Sequence, residues 1–201
     1  MIATTIVVAF VVFSCKSHLG EADSLNLNET PVQTIGNMFA VQTKDGVVVM
    51  RMEAEKMLRF DTDTSTYESF PEGLAVYSYT DEGLLETTIF SDDAMHETKK
   101  GGNGEETWKA FGNVLIQNVI KQETMETDTL YWDRTNEEIY TDCYVRMDSP
   151  QGFMQGYGMR SDQKARNSII LRPFNSFGVV VEDTTLVVVD SVNFIGPFLK
   201  K

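Results

Sequence analysis

The sequence predicts an all-β chain, a twisted open jelly roll of antiparallel strands, and three observations carry that expectation. Apolar and polar residues alternate through most runs of residues 108–163, the period of a strand with one buried face. Turn residues punctuate the chain about every 8–12 positions, as in sheet-on-sheet folds. A strand-turn-strand unit also occurs twice. Leu58-Arg59-Phe60-Asp61, Tyr67-Glu68-Ser69, Asp81-Glu82-Gly83-Leu84 and Ser91-Asp92 lie over Leu130-Tyr131-Trp132-Asp133, Ile139-Tyr140-Thr141, Asp148-Ser149-Pro150-Gln151-Gly152-Phe153 and Ser161-Asp162. One such unit cannot bury its own face, whereas two stacked copies can.

The first 14 residues are an apolar segment, and its core at residues 2–13 is shorter than the roughly 18–20 residues a spanning helix needs. A signal-peptide core fits better. The segment ends Val12-Phe13-Ser14-Cys15, which resembles a bacterial lipobox and marks Cys15 as the lipidation candidate. An uncleaved apolar anchor and an N-terminal core strand remain open alternatives. Residues 15–31 are polar and aperiodic and read as a flexible tether.

The domain proper is expected over residues 32–193, with a short tail at 194–201. Residues 32–43 and 47–60 read as strands about a Lys44-Asp45-Gly46 turn. In the second strand Val48, Met50, Met52, Ala54 and Leu58 are expected on the dry face, with Arg51, Glu53, Glu55 and Arg59 opposite. Residues 67–70, 74–79 and 84–90 follow as short strands. Residues 99–106, with three glycines, read as a flexible loop. In residues 139–147, Ile139, Cys143, Val145 and Met147 point one way; Tyr140, Asp142, Tyr144 and Arg146 point the other. A one-residue slip would expose the apolar set, so the register is well specified. Residues 168–171 and 179–189 read as a strand plus a hairpin, or as one long edge strand.

Composition narrows function. The chain has 201 residues, 42% of them hydrophobic, enough for one self-supporting core. Its net charge of −13 argues against nucleic acid as a partner, since phosphate neutralisation needs clustered Lys and Arg. No catalytic set emerges. Cys143 reads as a small inward hydrophobe, and His96 with Asp93 and Glu97 reads as a solvated turn rather than a metal site. Asp61-Thr62-Asp63-Thr64-Ser65 lacks the Gly and distal Glu of a calcium loop and reads as a plain turn. The methionines on apolar faces suit either a filled core or the lining of a slot for apolar guests. The residues alone therefore imply no cofactor, no metal and no enzyme.

Trp108-x-Ala110-x-Gly112-Asn113-Val114, Thr127-x-x-Leu130-x-Trp132-Asp133, Ile139-x-Thr141-Asp142-x-x-Val145 and Gly152 with Gln155-Gly156-x-Gly158-x-x-Ser161-Asp162 together resemble the LptC family of lipopolysaccharide-export proteins. The Phe70-Pro71-Glu72-Gly73 turn and the Phe13-Ser14-Cys15-Lys16 start are similar to lipoprotein-type members from Bacteroidetes-like bacteria. The resemblance covers residues 32–163. It implies an OstA/LptA-like jelly roll whose interior receives the acyl chains of lipopolysaccharide, with Val48, Met50, Met52, Trp108, Val114, Leu130, Val145 and Met147 lining it. It further implies a place on the periplasmic face of the inner membrane, held by the N-terminal anchor. The partners it implies are an inner-membrane ABC exporter complex (LptBFG-like) and a periplasmic bridge protein (LptA-like) joined by β-strand augmentation. Gly112 and Gly156 match glycines that the family needs for close backbone approach or docking.

Overall fold

A computed structural model describes residues 30–101, 105–182 and 185–190. The N-terminal segment with Cys15, most of the tether and the tail lie outside the described residues. Among the described residues are thirteen strands and no helix. They are β1 (Gln33–Lys44), β2 (Val47–Asp61), β3 (Ser65–Phe70), β4 (Leu74–Tyr79), β5 (Leu85–Ser91), β6 (Asp93–Lys99), β7 (Glu106–Asn118), β8 (Glu123–Asp133), β9 (Glu138–Ser149), β10 (Gly152–Asp162), β11 (Ile169–Pro173), β12 (Phe177–Glu182) and β13 (Thr185–Asp190). Every pairing is antiparallel, so the all-β expectation holds.

The sheet is a meander folded along one crease. β2 pairs with β4 through residues 50–53 and with β3 through residues 58–61. β7 pairs with β6 through residues 106–111 and with β5 through residues 115–118. Thus β3 and β4 are two halves of one interrupted strand, as are β6 and β5. The breaks fall at Pro71-Glu72-Gly73 and at Asp92. Strands that do not break shift register on the same line: β7 against β8 between Phe111 and Val114, β8 against β9 between Thr127 and Tyr131, β10 against β9 between Tyr157 and Met159. Gly112, Asn113 and Gly158 bend there with φ of 74°, 46° and 79°. An extra residue raises local twist and bends a strand, so a row of bulges turns a flat sheet into a roll.

The duplicated unit is visible in this topology. Asp61 faces Thr66 at the end of β2, and Asp133 faces Glu138 at the end of β8. The first copy breaks at the crease, whereas β9 and β10 cross it continuously. The C-terminal apolar runs form a strand and a hairpin: β11 pairs with β10, and β12 pairs with β13.

Two packed clusters fill much of the interior. One gathers Val114, Ile116, Met125, Leu130, Ile139, Val145, Met159, Ala165 and Ile170; the other gathers Met52, Ala54, Met57, Phe70, Leu74 and Ala94. Each large buried aliphatic stabilises by roughly 1.5–3 kcal/mol relative to exposure. Alternation in β9 is as expected, with Thr141 adding a buried polar residue to the inward set.

In β2 the expected face is wrong at both ends. Gln42 faces Met50 and Thr43 faces Val48, so Val49 is an extra residue that flips Val48 outward, where it is 36% exposed. A second phase change follows Ala54, burying Met57 in place of Leu58. Asn37, with φ of 51°, sits across from that step, between the Gly36–Lys56 and Met38–Ala54 pairs. The solvated turn expected around His96 is also overturned: His96 lies in β6, paired with Glu68 and Trp108. Asp93 and Glu97, at odd spacing from it, fall on the opposite face.

Candidate functional site: a cavity between the two walls

Folding at the crease sets one half of the sheet against the other and leaves a cavity of about 490 Å³ between the packed clusters. Its apolar lining comes from Met50, Met52, Val76 and Ile89 in one wall and from Ala94, Trp108, Ala110, Leu130, Trp132 and Ile139 in the other, and Gln42, Lys44, Asp81, Lys109, Arg134, Glu137 and Lys164 add a polar part. Alternation explains the selection. Ala94, Trp108, Leu130 and Trp132 are inward positions of adjacent strands, with Trp108 opposite Trp132 and Ala110 opposite Leu130.

The aromatic side is built around Trp108. Its ring lies 5.7 Å from Trp132 and 6.4 Å from Phe70, and His96 stacks on it at 4.0 Å with planes 13° apart. The His96 Nδ1 is 3.0 Å from Glu68 Oε2, and its Nε2 is 3.7 Å from Glu106 Oε2. A polar cluster of Glu68, His96 and Glu106 thus sits beside Trp108 on the same face of the sheet.

On the opposite side, residues 163–168 leave β10 in one wall and bond into the other. The Thr87 hydroxyl donates to the Lys164 carbonyl at 2.5 Å, and Asn118 Nδ2 donates to the Ala165 carbonyl at 3.0 Å. Lys164 Nζ donates to the Tyr79 carbonyl at 2.9 Å. Arg166 grips Glu86 with two donors, Nε to Oε1 and Nη2 to Oε2, the latter at 2.7 Å. The Arg166 hydrogen bond holds the Glu86 carboxyl below its usual range, helped by the charges of Arg166 and Lys164 and opposed by burial. Ala165, fully buried, pins this strap into the first cluster.

Of the eight lining residues expected from sequence, Met50, Met52, Trp108 and Leu130 do border the cavity. Val114 and Val145 are instead fully buried within a packed cluster, and Met147 packs against it. Val48 faces outward because of the bulge. Sequence reasoning missed Trp132, Ile139 and Ala94 as lining, although alternation in their strands would have selected the first two.

Gly112 and Gly156 both sit in strands paired on two sides. A Cβ on Gly112 would come within 3.0 Å of the Asp92 Cβ, and one on Gly156 within 2.5 Å of the Arg172 carbonyl oxygen. Close approach is thus real at both, and neither glycine lies on an open edge. Open edges among the described residues include β1, which pairs only with β2 and exposes Phe39 and Val41, and β11 and β13, which pair only with β10 and β12. At the other end β10 is covered by β11 and β12.

No curated protein matches the chain. A protein-family model described as LptC, lipopolysaccharide-assembly, LptC-related, matches residues 1–172, most of the sequence. By that match, and with a bent antiparallel roll enclosing a cavity, the chain belongs to the LptC-related family of lipopolysaccharide-assembly proteins.

Proposed function

We propose that this lipopolysaccharide-transport component receives acyl chains of its lipid cargo in the cavity, taking them from an inner-membrane ATP-driven exporter and passing them to the next periplasmic jelly roll. The observation that carries the reading is the cavity itself. Apolar side chains from both halves of the sheet line it together with charged ones such as Lys44, Lys109 and Arg134, and its volume lies within the roughly 300–1,000 Å³ of small-ligand sites. Burial of a chain there gains about 0.8 kcal/mol per methylene. The role is carriage, without catalysis.

Edge pairing would supply the hand-off. From Gln33 to Thr43, β1 carries no charge and no proline, the two devices that normally blunt a free edge. An incoming strand could therefore extend the sheet through main-chain hydrogen bonds. Lipidation of Cys15 would hold the domain on the periplasmic face of the inner membrane, and residues 16–31 would set its reach.

The competing reading, a docking β-domain without cargo, draws on the two packed clusters beside the cavity. Photocrosslinking separates them. A benzophenone side chain at Met52 or Leu130 should capture lipopolysaccharide, whereas one at Arg51 should not. Capture at Arg51 alone would leave only the docking reading.

A further inference from the structure

β11 and β12 lie on the same edge of β10. β11 pairs with residues 156–160 and β12 with residues 152 and 153, and between them the Phe174 amide donates to the Gln155 carbonyl at 3.0 Å. The two strands thus make one row, interrupted near Asn175, where φ is 43°. β13 pairs with the β12 half of that row, and among the described residues nothing pairs with the outer side of the β11 half. Arg172 and Pro173 blunt the last two positions of β11, but Ile169 and Leu171 stand 64% and 47% exposed beside a bare rim. Apolar side chains on an open edge are what folded sheets normally cover.

The chain itself runs toward that gap. Phe177 lies between Phe153 of β10 and Asp190, the last residue of β13. Because β13 is antiparallel to β12, a backbone carried straight on from Asp190 passes residues 176 to 169 and runs antiparallel to β11. About eight residues at strand spacing reach the level of Ile169, and residues 191–201 suffice for that. Val192, Phe194 and Ile195 favour strand, while Phe198 and Leu199 add apolar area to match Ile169 and Leu171.

We propose that residues 191–199 add to the sheet along the open side of β11 and cover Ile169 and Leu171, so that this edge is occupied by the chain's own segment. No linker separates that segment from β13, so its local concentration reaches at least about the mM scale of short tethers, and a foreign strand must displace it. The segment also carries what a rim strand needs. Pro197 cannot donate to a further strand, and Lys200 and Lys201 oppose its approach. From Gln33 to Thr43, β1 has neither device. The two ends of the sheet therefore differ in availability: one is taken, the other is free.

Two measurements on the full chain test this, and neither depends on cargo in the cavity. A benzophenone side chain at Leu171, with isotopically labelled copies mixed in, should capture a peptide from residues 191–199 of the same molecule. Amide exchange followed by NMR should find β11 protected on both of its sides. In Ile195→Asp/Phe198→Asp, exchange at the β11 amides not bonded to β10 should speed up by about tenfold or more, with β10 unchanged. Capture of a labelled copy, or of nothing from residues 191–199, overturns the proposal. Rapid exchange along the outer side of β11 in the parent, or parental exchange in the double variant, overturns it equally. Should the double variant lose its cooperative melt, the crosslink and the parent's exchange decide.

Discussion

Asp92 and Gly112 hold each other across the crease: the Asp92 amide donates to the Gly112 carbonyl at 2.9 Å, and the Asp92 carboxylate accepts from the neighbouring Asn113 Nδ2 at 2.6 Å. The contact joins the gap between β5 and β6 to the bend of β7. It also explains why position 112 is glycine, since φ is 74° and a Cβ would press on Asp92.

Gly112→Ala should therefore lower stability by about 1–2 kcal/mol, through backbone strain and the Asp92 contact together. Urea unfolding checks this. A lower midpoint with an unchanged slope is expected, and a midpoint equal to that of the parent would refute it.

Glu86→Gln should destabilise the domain by roughly 1–2 kcal/mol near neutral pH, because Glu86 is buried while Arg166 is half exposed to screening solvent. The sign with pH follows from the lowered carboxyl. The stabilisation is complete above the ordinary value of 4.5 and is lost as pH falls through the lower folded-state value. The stability gap between parent and variant should close with acid. A gap that stayed constant to low pH would show that the ion pair contributes nothing.

Ala94→Phe should cut the yield of lipopolysaccharide crosslinking at Leu130 several-fold. Ala94 is 2% exposed and borders the cavity, so the added ring has that space to enter. Overpacking should cost about 1–3 kcal/mol, leaving a cooperative melt. Undiminished crosslinking in a folded variant would place the lipid elsewhere.

Phe39→Lys should leave stability within about 0.5 kcal/mol, since Phe39 is 62% exposed, yet weaken edge pairing. Co-purification with the proposed exporter complex and the proposed periplasmic bridge protein reads the effect. Parental capture of both partners would move the docking edge away from β1.

Much of this architecture was legible in the sequence. Alternation from Ile139 to Met147 gave β9 its faces, and the two related segments anticipated the matching hairpins. What alternation could not show was where its phase changes. Val49 is one residue too many for a flat ladder, and nothing in a Val-Val-Val run marks which valine is extra. The same blindness hid Met57 and sent Val48 to the wrong side. Thr87, Thr141 and Asn118 were missed because polar residues score as surface, although Thr87 and Asn118 are buried to bind the strap and the Thr141 hydroxyl accepts from the Cys143 amide. Lining and filling residues look alike in a pattern of apolar positions. Only the packing separates Leu130 at the cavity from Val145 beside it.

The strap at residues 163–168 has a mechanical consequence. The crease joins the two halves along one side; on the other their rims are tied by the Glu86–Arg166 pair and a few side-chain bonds to carbonyls. No strand ladder crosses that slit at the strap. Parting the rims there would break those side-chain bonds and pull Ala165 out of the first cluster while leaving the strand ladders of the roll in place, so this seam is held by side chains where the crease is held by continuous backbone.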